Sequence, residues 1–304
     1  MRIDETDLAL IRAVERGGLL ACNSAVRRLG LADGEVKRRL DRLRQEGLVT
    51  AYRASIFVPK FIGETWVWGC TLIQTRKPQD VAEAIRRKMP FVTEIVFNDS
   101  LPSGLGHNLS ATFYGTDFAE IQKFLSELKD LSYVEVYQIG RYEFPLPQPY
   151  SAEELRLMRS IAAQPEADVP TLARLSEHSA EWVQTKLESL VWDPENAQGV
   201  ILVMPEIDWR VCENFMHIHF LLETSVSPES VAEELGKLGF APVLGGRLFH
   251  GRYLQMEADI WGFSDLLRKK TTLDGIQGIS LSGLLIAQEN RVVSDWVPGL
   301  LTQT

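Results

Sequence analysis

The segment Phe144-Pro145-Leu146-Pro147-Gln148-Pro149 divides a chain of 304 residues nearly in half, and the two halves repeat each other. Prolines at alternate positions fit neither a helix interior nor a central strand, so this stretch is an extended spacer. Ahead of it, Leu8-Ala9-Leu10-Ile11-Arg12-Ala13-Val14 sets apolar residues at helical spacing, and Leu155-Arg156-Leu157-Met158-Arg159-Ser160-Ile161 does the same beyond it. Two further helical patterns follow in each half, at 24–29 and 33–45 and at 170–175 and 179–190. Asp4 and Ser151 stand where N-caps belong, and Ser151 with Glu154 fits the capping box.

Strand patterns come next, at 65–73, 92–98, 109–114 and 134–139, with helices at 78–88 and 117–128 between them. The second half repeats the order with strands at 215–223, 243–249, 254–260 and 278–286 and helices at 228–238 and 263–270. A further strand at 200–204 follows the polar turn that begins at Trp192. The order β-α-β-β-α-β is that of the ferredoxin-like split unit. The expected fold is therefore α+β: two tandem units, each a winged helix-turn-helix followed by a ferredoxin-like βαββαβ domain. The expected boundaries are 1–53 and 54–143 for the first unit, 144–150 for the linker, and 151–205 and 206–304 for the second.

In the helix at 33–45, Val36, Leu40 and Leu43 recur at i, i+4 and i+7 and form the face turned to the domain core. The other face offers Gly34, Arg38, Asp41 and Arg42, flanked by Glu35, Lys37 and Arg39. Such a face suits the major groove, with Arg38 and Arg42 one turn apart and able to reach guanine edges or phosphates. Arg27, Arg28, Arg44 and Arg53 add phosphate contacts that position the domain without reading sequence. Asp33 is the expected N-cap, and Gly30 allows the tight turn before it. The second copy differs: from Ser151 to Leu190 there are seven acidic residues against four basic ones, and Glu181 and Glu188 lie on its third helix. Phosphates repel such a face, so this winged helix is read as a degenerate copy kept for packing or partner contact.

The opening Ile3-Asp4-Glu5-Thr6-Asp7-Leu8-Ala9-Leu10-Ile11, the run Arg28-Leu29-Gly30-Leu31-Ala32-Asp33-Gly34-Glu35-Val36-Lys37-Arg38-Arg39-Leu40 and the ending Glu46-Gly47-Leu48-Val49 resemble the helix-turn-helix of the leucine-responsive regulatory protein family, Lrp/AsnC. The resemblance rests on residues over 3–53 and on element order elsewhere. It implies a sequence-specific DNA-binding transcription regulator, with the sandwich domains serving dimerisation and small-ligand sensing. Double-stranded DNA, a second copy of the chain and a small-molecule effector are its expected partners, with no cofactor and no enzymatic activity. In that family a Gly-x-x-Asp loop lies near the amino-acid effector. Here the loops read Ser103-Gly104-Leu105-Gly106-His107-Asn108 and His250-Gly251-Arg252-Tyr253, without the aspartate, which argues against an ordinary amino-acid effector. Siroheme decarboxylases are built from units similar to the same fold. That alternative gives His217, His219, Arg247, His250 and Arg252 a role toward a tetrapyrrole.

The remaining features exclude more than they add. A formal net charge of −9 speaks against a chain that coats nucleic acid over its whole surface, though not against a local basic element. No apolar run reaches the ~20 residues of a membrane span, and the N-terminus has no signal-peptide pattern, so a cytoplasmic protein is expected. Cys22, Cys70 and Cys212 are far apart and read as reduced, packed side chains. His217 and His219 share one face of a strand, and with His250, Arg252 and His107 they are candidates for lining an anion-binding pocket. No carboxylate or cysteine stands at metal-ligand spacing in the sequence, so the pair reads as hydrogen-bonded histidines and no metal is expected. Trp66 and Trp68, also at i and i+2, read as interface core, and Gly104-x-Gly106 as a turn. No nucleophile has a base beside it.

Overall fold

Alternation along the strands decides which side chains meet helices and which meet the opposite sheet. In the computed structural model, residues 1–15, 29–101, 107–128, 131–192, 198–242, 248–249 and 253–303 are described. The first half runs α1 (Glu5–Val14), α2 (Asp33–Gln45), β1 (Val49–Ile56), α3 (Val58–Ile62), β2 (Glu64–Thr75), α4 (Pro78–Lys88), β3 (Val92–Leu101), β4 (Leu109–Gly115), α5 (Phe118–Ser126) and β5 (Leu131–Phe144). The second runs α6 (Ala152–Ala163), α7 (Val169–Ser176), α8 (Ala180–Leu190), β6 (Ile201–Asp208), β7 (Met216–Thr224), α9 (Pro228–Lys237), β8 (Ala241–Pro242), β9 (Leu248–Phe249), β10 (Tyr253–Ile260), α10 (Phe263–Asp274), β11 (Ile279–Val292) and α11 (Val297–Gln303). The fold is α+β, with antiparallel sheet, winged helices and ferredoxin-like units.

Strand order is β5-β2-β4-β3 in the first half and β11-β7-β10-β8 in the second, the same permutation twice. The halves join edge to edge, β3 pairing antiparallel with β11 from Glu94↔Val292 to Leu101↔Leu284. Ile218, Phe220 and Leu222 of β7 and Leu254, Met256, Ala258 and Ile260 of β10 bury themselves with Val231 and Leu235 of α9 and Leu273 of α10. The opposite faces carry Leu221 and Leu285, which pack with Cys70 and Leu72 of β2 and against Trp68. Strand β2 is no neighbour of β7 in the ladder, so the sheet folds back and its two halves face each other. Trp68 thus lies at the contact between sheets, as its spacing suggested; Trp66 is buried and donates its indole N–H to the Gly63 carbonyl at 2.8 Å.

The two winged helices share one core. Strand β1 pairs with β6 from Val49↔Ile207 to Ile56↔Ile201, and Leu8, Leu43 and Leu48 are buried in one cluster with Leu157, Met158, Val183 and Leu301. At about 1.5–3 kcal/mol for each fully buried aliphatic side chain, this shared core holds both heads to one body. Strand β1 and helices α3 and α11 are elements the sequence patterns did not disclose. Two of the three expected N-caps form: Asp4 and Ser151 each close a capping box, with Asp7 and Glu154 as partners. Helix α2 begins after Ala32 rather than after Asp33, because Ala32 still has extended backbone and Asp33 is already helical. Gly30 has φ of +63°, the left-handed turn expected of it. The expected helix at 24–29 falls almost wholly outside the described residues. The expected strand at 243–249 is described only as its last two residues.

Candidate functional site

Strands β7 and β10 pair so that Glu257 stands opposite His219 and Asp259 opposite His217. Because alternate residues share a face, His217, His219, Gln255, Glu257 and Asp259 all point to the side away from α9 and α10. Gln255 Nε2 donates to His219 Nδ1 at 2.8 Å. That leaves the His219 proton on Nε2, from which it donates to His217 Nε2 at 3.2 Å. The His217 proton then sits on Nδ1, which donates to Asp259 Oδ1 at 3.0 Å. When both rings are neutral, one file of hydrogen bonds therefore sets both tautomers. Glu257 Oε2 lies 3.8 Å from His217 Nε2 and 3.9 Å from His219 Nε2. Trp209 stacks on the His217 ring, with centroids 5.5 Å apart.

Electrostatics separate the two rings. Burial, reinforced by His217, pushes the His219 pKa down to about 3, so this ring is neutral. Burial also disfavours charge on His217, but the Asp259 hydrogen bond and the charges of Glu257 and Asp259 outweigh it and raise its pKa above the ordinary value. Burial raises the Glu257 carboxyl, with His217 opposing. Shifted groups gathered on one inward face mark a candidate site. The arrangement can hold and pass a proton, or offer three donor atoms to a cation.

The site is tied to the first winged helix. Arg12 of α1 forms an ion pair with Asp259. Helix α1 also carries Asp7, whose buried carboxylate accepts from Arg39 at 2.7 Å and pairs with Arg42, both on α2. Arg39 further bonds Asp4 at 2.9 Å and Glu35 at 2.6 Å.

The same contacts engage several of the basic residues expected to meet DNA. Arg39 and Arg42 both pair with Asp7 on α1, which supplies a buried charge on that side. Arg38 pairs with Glu35 of its own helix at 2.7 Å and remains exposed. Gly34, Lys37, Arg38, Asp41, Arg42 and Gln45 line one open depression. Arg44 pairs with Glu166 and Arg53 lies 3.6 Å from Glu206, so both basic groups meet carboxylates of the second half. Arg28, His250 and Arg252, with Arg27 and Arg247, fall outside the described residues. His107 is buried ahead of β4 in the first half.

No carboxylate stands at metal-ligand spacing from the histidines in the sequence, yet two meet them in the fold. Glu257 and Asp259 come from a neighbouring strand 38 or more residues further along, and register rather than spacing brings them there. The signal was the alternation Gln255-x-Glu257-x-Asp259 in an otherwise apolar strand.

No family model matches the chain, and no curated protein matches it. Among solved structures, siroheme decarboxylase NirDL aligns with 98% of this chain and 99% of its own, at 14% identity and a TM-score of 0.48. AsnC of E. coli aligns with 49% of this chain and 99% of its own, at 13% identity and a TM-score of 0.27. A transcriptional regulator of Neisseria meningitidis in complex with L-Met aligns with 49% of this chain and 93% of its own, at 21% identity and a TM-score of 0.29. Identities this low speak to fold alone. The expectation that the chain is no enzyme is nevertheless withdrawn, because a solved structure that aligns along the whole chain is that of a decarboxylase. Among the described residues no helix is long and apolar enough to cross a membrane.

Proposed function

We propose that the chain is a DNA-binding regulator of the Lrp/AsnC kind, with α2 as its reading helix and the His217 network as its sensing centre. The observation that carries this reading is the unbroken series of contacts from His217 through Asp259 to Arg12, along α1 to Asp7, and on to Arg39 and Arg42 of α2. A ligand that changes the charge or position of His217 acts on Asp259, and so on the helix against which the reader is braced. Lys37 and Arg38 line the open depression of α2 together with Arg42, while α8 exposes Glu181, Gln184, Thr185 and Glu188. One chain then holds one competent reader, and a palindromic operator takes a homodimer with readers about one helical turn, ~34 Å, apart.

A salt titration of binding to random duplex DNA tests the reader. Lys37→Ala/Arg38→Ala is expected to weaken binding and to reduce the slope of log affinity against log salt by about 2, roughly one for each lost phosphate contact. Absence of binding by the wild type even at low salt would sink this reading.

A second reading takes the same network as acid–base machinery in a siroheme-decarboxylase-like enzyme acting on a carboxylated tetrapyrrole. It is favoured by the file Gln255–His219–His217–Asp259, in which a neutral imidazole hydrogen-bonds to one held beside two carboxylates. Titration of the protein into siroheme, followed by absorbance, separates the readings. A saturable spectral shift lost in His217→Ala supports the enzyme, and an unchanged spectrum removes it.

A further inference from the structure

We propose that His217, His219 and Glu257 form a binding site for a divalent transition-metal ion of the Zn²⁺ class. The proposal names the ligand of the sensing centre above and rests on that reading only for its consequence at DNA.

Three donor atoms converge: His217 Nε2 and His219 Nε2 are 3.2 Å apart, and Glu257 Oε2 lies 3.8 and 3.9 Å from them. Ligands about 2.0–2.1 Å from a tetrahedral Zn²⁺ sit about 3.3 Å from one another, so these separations need only a small closing movement of one carboxylate. Glu257 has room for it, its side chain being 31% exposed. The histidines are placed by the ladder: neighbouring inward positions of β7 put both rings on one face, and the register sets Glu257 beside them. Two imidazoles and one carboxylate suit Zn²⁺, Co²⁺ or Ni²⁺ rather than Mg²⁺ or Ca²⁺, which prefer all-oxygen sets.

The surroundings match those of a metal site as well. His217 gives its Nδ1 proton to Asp259, which in turn pairs with Arg12, the orientation in which a ligating histidine keeps its lone pair on Nε2, here accepting the His219 N–H. His219 requires one adjustment. Its Nε2 proton must move to Nδ1 before it ligates, and that proton then needs an acceptor. Gln255 supplies one by turning its amide over, so that oxygen replaces nitrogen at the 2.8 Å contact, with no movement of backbone.

The test uses the full chain, stripped with a chelator and titrated with Co²⁺ in the absence of DNA, followed by visible absorption and by displacement with Zn²⁺. One equivalent is expected to bind. His217→Ala and His219→Ala are expected to abolish the visible band. Asp259→Asn is expected to weaken binding by about 10–100-fold, the usual loss when a partner of a ligating histidine is removed. Glu257→Gln is read alongside, because it is the variant least disruptive to folding; circular dichroism checks all four. Absence of saturable binding by the wild type overturns the proposal, as does unchanged affinity in the correctly folded Glu257→Gln variant. Neither outcome bears on the salt titration, so metal binding and DNA binding fail separately.

Discussion

Asp7→Ala is expected to destabilise the first winged helix by about 3 kcal/mol, the size of the loss when one partner is removed from a buried ion-pair cluster. The Asp7 carboxylate is 1% exposed and serves three donors. It accepts the Asp4 backbone N–H at 3.0 Å, completing the capping box of α1, and holds Arg39 at 2.7 Å and Arg42 as an ion pair. Alanine takes a buried carboxylate from two guanidinium groups, and Arg42 Nε is already buried without a hydrogen-bond partner. Arg39 keeps Asp4 and Glu35, and Arg42 is 34% exposed, so water recovers part of the loss. Urea unfolding followed by circular dichroism measures the change. Asp7→Asn separates the lost charge from the lost cap, because an amide oxygen still accepts from Asp4 while the charge pairing with the arginines goes. A cost below about 1 kcal/mol for Asp7→Ala would mean that the pairs are solvent-screened ornaments. The braced-reader account would then fail.

The sequence disclosed the fold well because its two signals are local and appear twice. Helical spacing at 33–45 and 78–88 and strand alternation at 109–114 and 254–260 need no knowledge of partners, and each half checks the other. Elements whose identity depends on a partner were missed. Strand β1 makes its ladder with β6 of the other half, and α11 is helical while it packs on the shared winged-helix core. The same division holds for the site. Sequence placed His217 and His219 on one face, which is a property of a single strand. It could not place Glu257 and Asp259, because pairing register is set by the whole sheet. On α2 the limit is the same, since helical spacing alone could not show that a buried carboxylate on α1 engages Arg39 and Arg42. The first strand of the other repeat offers its own contrast, because the inward face of β2 carries Trp66, Trp68 and Cys70 where that of β7 carries the two histidines.

Zn²⁺ is expected to weaken DNA binding by wild type, and Arg12→Ala is expected to remove that effect. A cation held by His217, His219 and Glu257 sits beside the carboxylates that attract Arg12, and its charge opposes the guanidinium. Loosening Arg12 from Asp259 frees the end of α1, while Asp7 near the other end carries the movement to Arg39 and Arg42. Coupling between two sites of this kind is typically about 1–3 kcal/mol, or about 5–150-fold in affinity. Affinity for duplex DNA is measured by fluorescence anisotropy with and without Zn²⁺, for wild type, Arg12→Ala, Asp259→Asn and the double variant. Both single variants should lose the Zn²⁺ response, and the double should lose no more than either, because the two residues act through one contact. Asp259→Asn also weakens the metal, so it is read at saturating Zn²⁺; Arg12 touches no proposed ligand, which makes it the cleaner probe. Reciprocity adds an internal check: DNA must weaken Zn²⁺ binding by the same factor in wild type and leave it unchanged in Arg12→Ala. A full Zn²⁺ response in Arg12→Ala would place the connection elsewhere, and the Arg12–Asp259 pair would then be no more than a clasp between the winged helix and the second sheet.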